Sequence, residues 1–233
     1  MRKEPYTVGD FVHVYNRGNR KQQIVLDSKD QWRFLLMLRY FNDEYSSPNP
    51  LRDLLKSDSN RSFDWPASWP SHKPLVNIVC FTLMPNHYHL ILEEIAEGDI
   101  TKFMRKLGTG MTNYFNTKYK ESGRLFQGAF KAKRIDTDNY LSYLTAYIQV
   151  KNVFELYAGG IEKAMERFDD AFRWAIEYPY SSLADYADNR NSPIIKKSIA
   201  GNMFSSAEEY REFAKQCILN INLKEKLGNL TFE

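Results

Sequence analysis

LVNIVCFTL (75–83), MPN (84–86) and HYHLILEE (87–94) follow one another without a break. The first is a continuous apolar run of strand length, the pattern of a strand covered on both faces. The proline and asparagine make a turn, and the last segment reads as a second strand. The two are expected to pair as a hairpin. Side chains alternate along a strand, so His87 and His89 share one face while Tyr88, Leu90 and Leu92 take the other.

Upstream, DFVHVYNR (10–17) is rich in β-formers, and NRGN then supplies a turn. His13, Tyr15 and Arg17 fall on one face of that strand. SKDQWRFLLMLRYFN (28–42) has helical spacing, with Ser28 as N-cap and Trp32, Leu35, Leu36 and Tyr40 as the apolar stripe. Residues 45–74 are broken by prolines and read as a surface excursion. Its aromatics Phe63, Trp65 and Trp69 are expected to fold back onto the body. Downstream, 99–121 reads as a helix weakened by Gly108 and Gly110, and 125–135 as a glycine-interrupted strand or a loop-strand. Asp136 or Thr137 caps a helix over about 138–156. A helical tail follows Gly159-Gly160, ending in a last helix at 206–227. Hairpin-connected strands with interspersed helices predict an α+β fold, an antiparallel sheet with helices packed on it. The expected division is a domain over 1–158, with its insertion at about 45–74, and a helical extension over 159–233.

The 233 residues suffice for a sizeable core, and 43% apolar with 26% charged residues excludes a disordered chain. No apolar run is long enough to span a bilayer, so no membrane partner is expected. MRKEPYTVGD lacks the apolar centre of a signal peptide, and the expected compartment is the cytoplasm. Cys80 and Cys217 make neither a disulfide framework nor a CxxC site. The net charge of +3 alone says little. Its distribution says more: from Lys102 to Lys133 the basic residues recur and Glu121 is the single acid. That stretch is either a surface for an anionic partner or a solvated helix face.

Two imidazoles on one strand face can hold one divalent cation, although an isolated HxH also occurs for structural reasons. The helix DNYLSYLTAYIQVKN places Tyr140, Leu144, Tyr147 and Lys151 along one stripe, which is either core or functional. His13 on the first strand could approach the site, but a buried structural role with one hydrogen bond is favoured over a functional one.

MPNHYHLIL resembles the signature of the HUH nucleases, in which two histidines flank a bulky residue. HVYNRGNRKQQIVL (13–26), the stretch from Ile100 to Ile135, AYIQVKN (146–152) and YPYSSLADY (178–186) resemble, in order, segments of the REP-associated tyrosine transposases. The resemblance covers roughly residues 10–190. It implies an HUH fold with a ferredoxin-like or RRM-like sheet, and a single-tyrosine transposase domain over 1–158. It further implies that His87 and His89 bind Mg²⁺ or Mn²⁺ and that Tyr147 is the nucleophile. The partner it implies is single-stranded DNA with hairpins, cut through a 5′-phosphotyrosine bond and rejoined. Asn16, Arg17, Arg124, Gln127, Lys131 and Lys133 are the candidates for contacts to that DNA. Monomer and homodimer both remain open.

One position departs from the family pattern. Four residues after the tyrosine, where an Asn or Gln ligand is expected, stands Lys151, and a protonated lysine has no lone pair for a metal. Asn152 can substitute only if the helix distorts, since five residues place it about 140° around a regular helix. Otherwise water or DNA completes the site, or Lys151 contacts the phosphate. The departure keeps a second reading open, a catalytically weakened or domesticated DNA-hairpin-binding protein. A histidine-triad hydrolase is disfavoured because Ile91 stands where that pattern needs a third histidine. A generic metal-dependent hydrolase using His87, His89 and an acid is the remaining enzyme alternative.

Overall fold

In the computed structural model, residues 75–94 form the expected hairpin: β2 (Val76–Met84), the two-residue turn Pro85–Asn86, and β3 (His87–Glu94). Every residue of β2 is buried, as its unbroken apolar run requires, whereas β3 alternates from His87 to Leu90. β1 (Phe11–Arg17) and β4 (Lys131–Ile135) complete a four-stranded antiparallel sheet in the order β2-β3-β1-β4. With α1 (Ser28–Tyr40) after β1 and α2 (Asp99–Tyr119) after β3, the chain order is β-α-β-β-α-β. This is the ferredoxin-like arrangement. The expected α+β class is borne out. The structure describes residues 6–47, 63–197 and 203–226, with side chains to residue 220. Residues 48–62 of the insertion, the first five residues and the last residue expected for the C-terminal helix lie outside them. Among the described residues no helix is long and apolar enough to cross a membrane.

The chain divides into two compact units. The first comprises Met1–Asn77, Pro85–His87 and Leu92–Arg134. Here α1 is capped by Asp27, not Ser28. Asp27 accepts from the Asp30 N–H at 2.9 Å, and the Asp30 carboxylate answers with a bond from the Asp27 N–H. A reciprocal capping box satisfies two end donors, where a lone Ser28 cap would satisfy one. The buried face of α1 also differs from the expected stripe. Phe34, Leu35, Met37, Leu38 and Tyr40 are buried, while Trp32 and Leu36 are half-buried. Gly110, which weakens α2 locally, permits close packing: a Cβ there would lie 2.3 Å from Cε2 of Phe41. The insertion does fold back onto α1, with Phe63 against Trp32 and Trp65 against Tyr40 at ring separations of 4.9 and 5.8 Å.

The second unit comprises Ile78–Met84, Tyr88–Ile91 and Ile135–Glu233. Thr137 is the N-cap of α3 (Asp138–Ala146), its hydroxyl accepting from Tyr140 N–H. The helix expected over 138–156 is not regular. Residues Tyr147–Lys151 form a π-helical turn, which continues into α4 (Asn152–Phe154). Then come α5 (Gly160–Glu166), α6 (Phe168–Ile176), α7 (Leu183–Tyr186) and the long α8 (Ala207–Lys226). Over 125–135 the loop-strand alternative holds: a loop leads into a strand that runs from Lys131 to Ile135.

Candidate active site

The first unit, taken by itself, contains a turn held by backbone bonds and a basic strip. Pro85 and Asn86 are tied to the loop that follows β1. Gly18 N–H donates to the Asn86 carbonyl at 2.8 Å and Ile24 N–H to the Pro85 carbonyl at 2.8 Å. The Asn86 amide donates to the Lys21 carbonyl. The Asn86 Oδ1 lies 2.7 Å from His87 Nδ1. A carbonyl oxygen only accepts, so Nδ1 carries the proton and Nε2 of His87 keeps the lone pair a cation needs. His87 is half-buried.

Beside this turn the backbone of residues 125–127 runs against residues 17–19. Asn19 N–H donates to Leu125 O and Gln127 N–H to Arg17 O, at 2.8 and 3.0 Å. Arg17 and Gln127 are thereby adjacent, with Arg124 three residues before Gln127. Lys131 on β4 lies over the Tyr15 ring at 5.6 Å, and Tyr15 stacks on His13 at 5.0 Å. Burial, and secondly Lys133, lower the His13 pKa to about 4, so this imidazole is neutral at ordinary pH. Arg124, Gln127, Lys131 and Lys133 are exposed and Arg17 is half-buried. Asn16 differs from the rest of the set. It is buried, and its amide is committed to the backbone, donating to Gly128 O and accepting from Arg17 N–H. It braces the strip.

The second unit contains His89, half-buried on β3, together with Tyr147, Lys151 and Asn152. Tyr140, Tyr143 and Tyr147 are all half-buried, while Leu141, Leu144, Ala146, Ile148 and Val150 supply the core face. The tyrosines therefore flank the core instead of forming it. The turn that begins at Tyr147 is closed by Asn152, whose N–H donates to the Tyr147 carbonyl. Such an i→i+5 bond takes one more residue into the turn than an α-helix does, and single π turns recur at functional sites. The distortion that Asn152 needs in order to stand one turn from Tyr147 is thus present, although Asn152 itself is buried. Its Nδ2 is buried without a partner among the described residues. Lys151 lies 5.1 Å from the Tyr147 ring centre and donates to Glu155 at 2.6 Å. Burial alone would lower its pKa, but Tyr147 and the Glu155 carboxylate outweigh it and raise the value. Lys151 is a standing cation beside the tyrosine.

The donors expected from the sequence for a cation are imidazoles. Among the described residues no group of three or more His, Cys, Asp or Glu side chains is gathered to hold a metal. Each imidazole, that of His87 already oriented by Asn86 and that of His89, is a donor of the kind divalent cations accept beside oxygen ligands.

Comparison with known proteins agrees with the motifs. Residues 71–151 match the family model of the IS200-like transposases, a segment running from the end of the insertion to Lys151. The fold is similar to the structure of a REP-associated tyrosine transposase bound to a REP hairpin. The match has 14% identity and a TM-score of 0.50, and covers 84% of this chain and 89% of that one. No curated protein matches. Both histidines and Tyr147 lie within the segment that is similar to the IS200-like transposases. The resemblance to the REP-associated tyrosine transposases is borne out in that segment and in the fold.

Proposed function

We propose that the protein cuts and rejoins single-stranded DNA beside a hairpin, with Tyr147 as the nucleophile. The observation that carries this reading is the π turn itself, which sets a half-buried tyrosine under the ammonium of Lys151. In the first step the Tyr147 hydroxyl oxygen attacks phosphorus, and its proton is lost to solvent. The bond from phosphorus to the 3′-oxygen breaks, leaving a 5′-phosphotyrosine and a 3′-hydroxyl that takes up a proton. Rejoining reverses the step on another end, and the conserved bond energy dispenses with ATP. Lys151 stabilises the phenolate as it forms and as it leaves. His87 and His89 would hold a divalent cation, Mg²⁺ or Mn²⁺, which when bound polarises the scissile phosphate. Arg17, Arg124, Gln127, Lys131 and Lys133 guide the strand by phosphate contact, since such grooves combine cations with stacking aromatics such as Tyr15. A hairpin as partner is supported by the structural relative, which is bound to a REP hairpin. This reading puts the protein in the cytoplasm, as monomer or homodimer, with the domain boundary near residue 158.

One observation favours a second reading. Lys151 stands in place of the Asn or Gln ligand and is held by Glu155, which weakens the metal site. On that reading the protein binds hairpins without cutting them.

Labelled single-stranded DNA from the ends flanking the protein's own gene, incubated with Mg²⁺ or Mn²⁺, separates the two. The expected result on a denaturing gel is a covalent adduct that needs metal and His87. Tyr147→Phe should lower it about 10³-fold or more while hairpin affinity is retained. Tight binding with no adduct establishes the hairpin-binding protein instead.

A further inference from the structure

The π turn is held from outside by a buried network that reaches the C-terminal helix. Thr82 on β2 donates its hydroxyl to the Ile148 carbonyl at 2.6 Å, occupying an acceptor inside the turn. Gln149, also inside the turn and fully buried, donates from Nε2 to Ser182 Oγ at 2.8 Å. Its Oε1 accepts from the hydroxyl of Tyr210 on α8. Ser182 in turn accepts from Phe81 N–H at 2.9 Å and donates to Phe81 O at 3.2 Å. Thr82, Gln149, Ser182 and Tyr210 are each 0 or 1% exposed. Burial, with Cys80 and Tyr186 nearby, pushes the Tyr210 phenol well above its ordinary pKa, so it stays a donor.

These bonds matter because a π turn does not persist on its own account. Its bonding is poorer than that of an α-helix, and it survives where tertiary contacts over-determine it. An unsatisfied buried amide is costly, so Gln149 can hold its position only while Ser182 and Tyr210 hold theirs. If the turn relaxed to the α register, Lys151 instead of Asn152 would close it, and Tyr147 would rotate relative to the residues after it.

We infer that Tyr210, acting through Gln149, is a positioning residue for Tyr147, and that α8 is thereby part of the cutting machinery. The inference rests on the cleavage reading, but its physical core, the coupling of Tyr210 to the π turn, can be tested apart from activity.

The test compares Tyr210→Phe with Tyr186→Phe in the full chain. Tyr186 is a neighbouring buried phenol whose hydroxyl donates to Val79 O on β2 and not to the π turn. Four quantities are measured: the single-turnover rate of adduct formation at saturating hairpin DNA, hairpin affinity, thermal midpoint, and amide hydrogen exchange over residues 147–153. Tyr210→Phe is expected to slow the adduct by about tenfold to a hundredfold, with affinity within about twofold of the parent. Exchange over 147–153 should rise in this variant alone. Tyr186→Phe, at a similar loss of thermal midpoint, should leave rate and exchange near the parent. Equal slowing in both variants, in step with stability, overturns the inference and leaves Tyr210 merely structural. A parent protein that forms no adduct sinks the cleavage reading. The exchange arm still decides the coupling: faster exchange confined to 147–153 in Tyr210→Phe supports it, and unchanged exchange overturns it.

Discussion

In each compact unit a buried polar side chain ties helices together, and the two hubs differ in charge: one is ionised and the other neutral. In the first unit the hub is Asp30, 2% exposed, with Tyr114 and Lys118 on one oxygen and Tyr119 and the Leu26 N–H on the other. In the second it is Gln149, bonded only by neutral groups. Burial pushes the Asp30 carboxyl up, but the bonds from Lys118, Tyr119, Leu26 N–H and Tyr114 outweigh it and hold the pKa at about 2. The first hub is thus a charged lock with a pH dependence, and the second is a lock without one. The difference teaches where the molecule can tolerate charge. In the first unit the buried carboxylate is matched by the ammonium of Lys118. The unit that carries Tyr147 buries a carboxylate elsewhere, Asp185 paired with Arg190 at 2.7 Å, but the side chain that braces the tyrosine's own turn is neutral.

The comparison breaks most sharply if Gln149 is given a charge. Gln149→Glu should destabilise the second unit by about 3–5 kcal/mol at pH 8, the order of cost for an uncompensated buried charge. Burial raises that carboxyl's pKa, so its protonated form is favoured in the folded state and stability should recover as pH falls toward 5. Chemical denaturation across that pH range is the measurement, and a cost that does not shrink on acidification would contradict the neutral-lock reading.

Asp30→Asn should cost less, about 2–4 kcal/mol, because Lys118 is left without its buried partner. Its pH signature has the opposite sign. The folded pKa of about 2 lies below the ordinary 3.8. The stability from ionised Asp30 is therefore fully present above pH 4 and is lost as pH falls through 2. The parent should lose about 2 kcal/mol over that window, and the variant should not. Acid unfolding followed by circular dichroism reads the difference.

The smallest effect sharpens the comparison at the surface. Lys131→Ala or Lys133→Ala should each weaken hairpin binding by several-fold and reduce the slope of log affinity against log salt by about one. Fluorescence anisotropy over a salt series checks this, and an unchanged slope would remove that lysine from the DNA path.

The sequence showed the frame of the molecule more clearly than its joints. Periodicity two and the Pro-Asn turn were enough for the hairpin, and the β-α-β-β-α-β order followed from strand and helix lengths. Three local features were not legible, each because a partner distant in sequence decides it. The α1 cap lies at Asp27, since Asp30 returns the bond, and Asp30 is held there by Lys118 and Tyr119 from α2. Gly110 reads as a weakness in α2 until Phe41 is seen against it. The π turn is invisible in YIQVK because its supports are Thr82, Ser182 and Tyr210. At the candidate site the two histidines and Tyr147 were legible as residue types at telling spacings, and Asn16 looked like a DNA contact because its commitment to Gly128 cannot be read from VYNR.

The two-residue turn at Pro85–Asn86 has one more consequence, which concerns parity. It fixes which residues of β3 face which way, and its ties to residues 18–24 leave it no room to take up slack. A strand that slips by a single residue exchanges its two faces. Losing or gaining one residue in the hairpin would therefore send Tyr88 and Leu90 outward and carry both imidazoles into the core together. The facing of these two side chains is stored here as an odd-even rule, so a frame-preserving deletion of one codon would act on them as a double mutation.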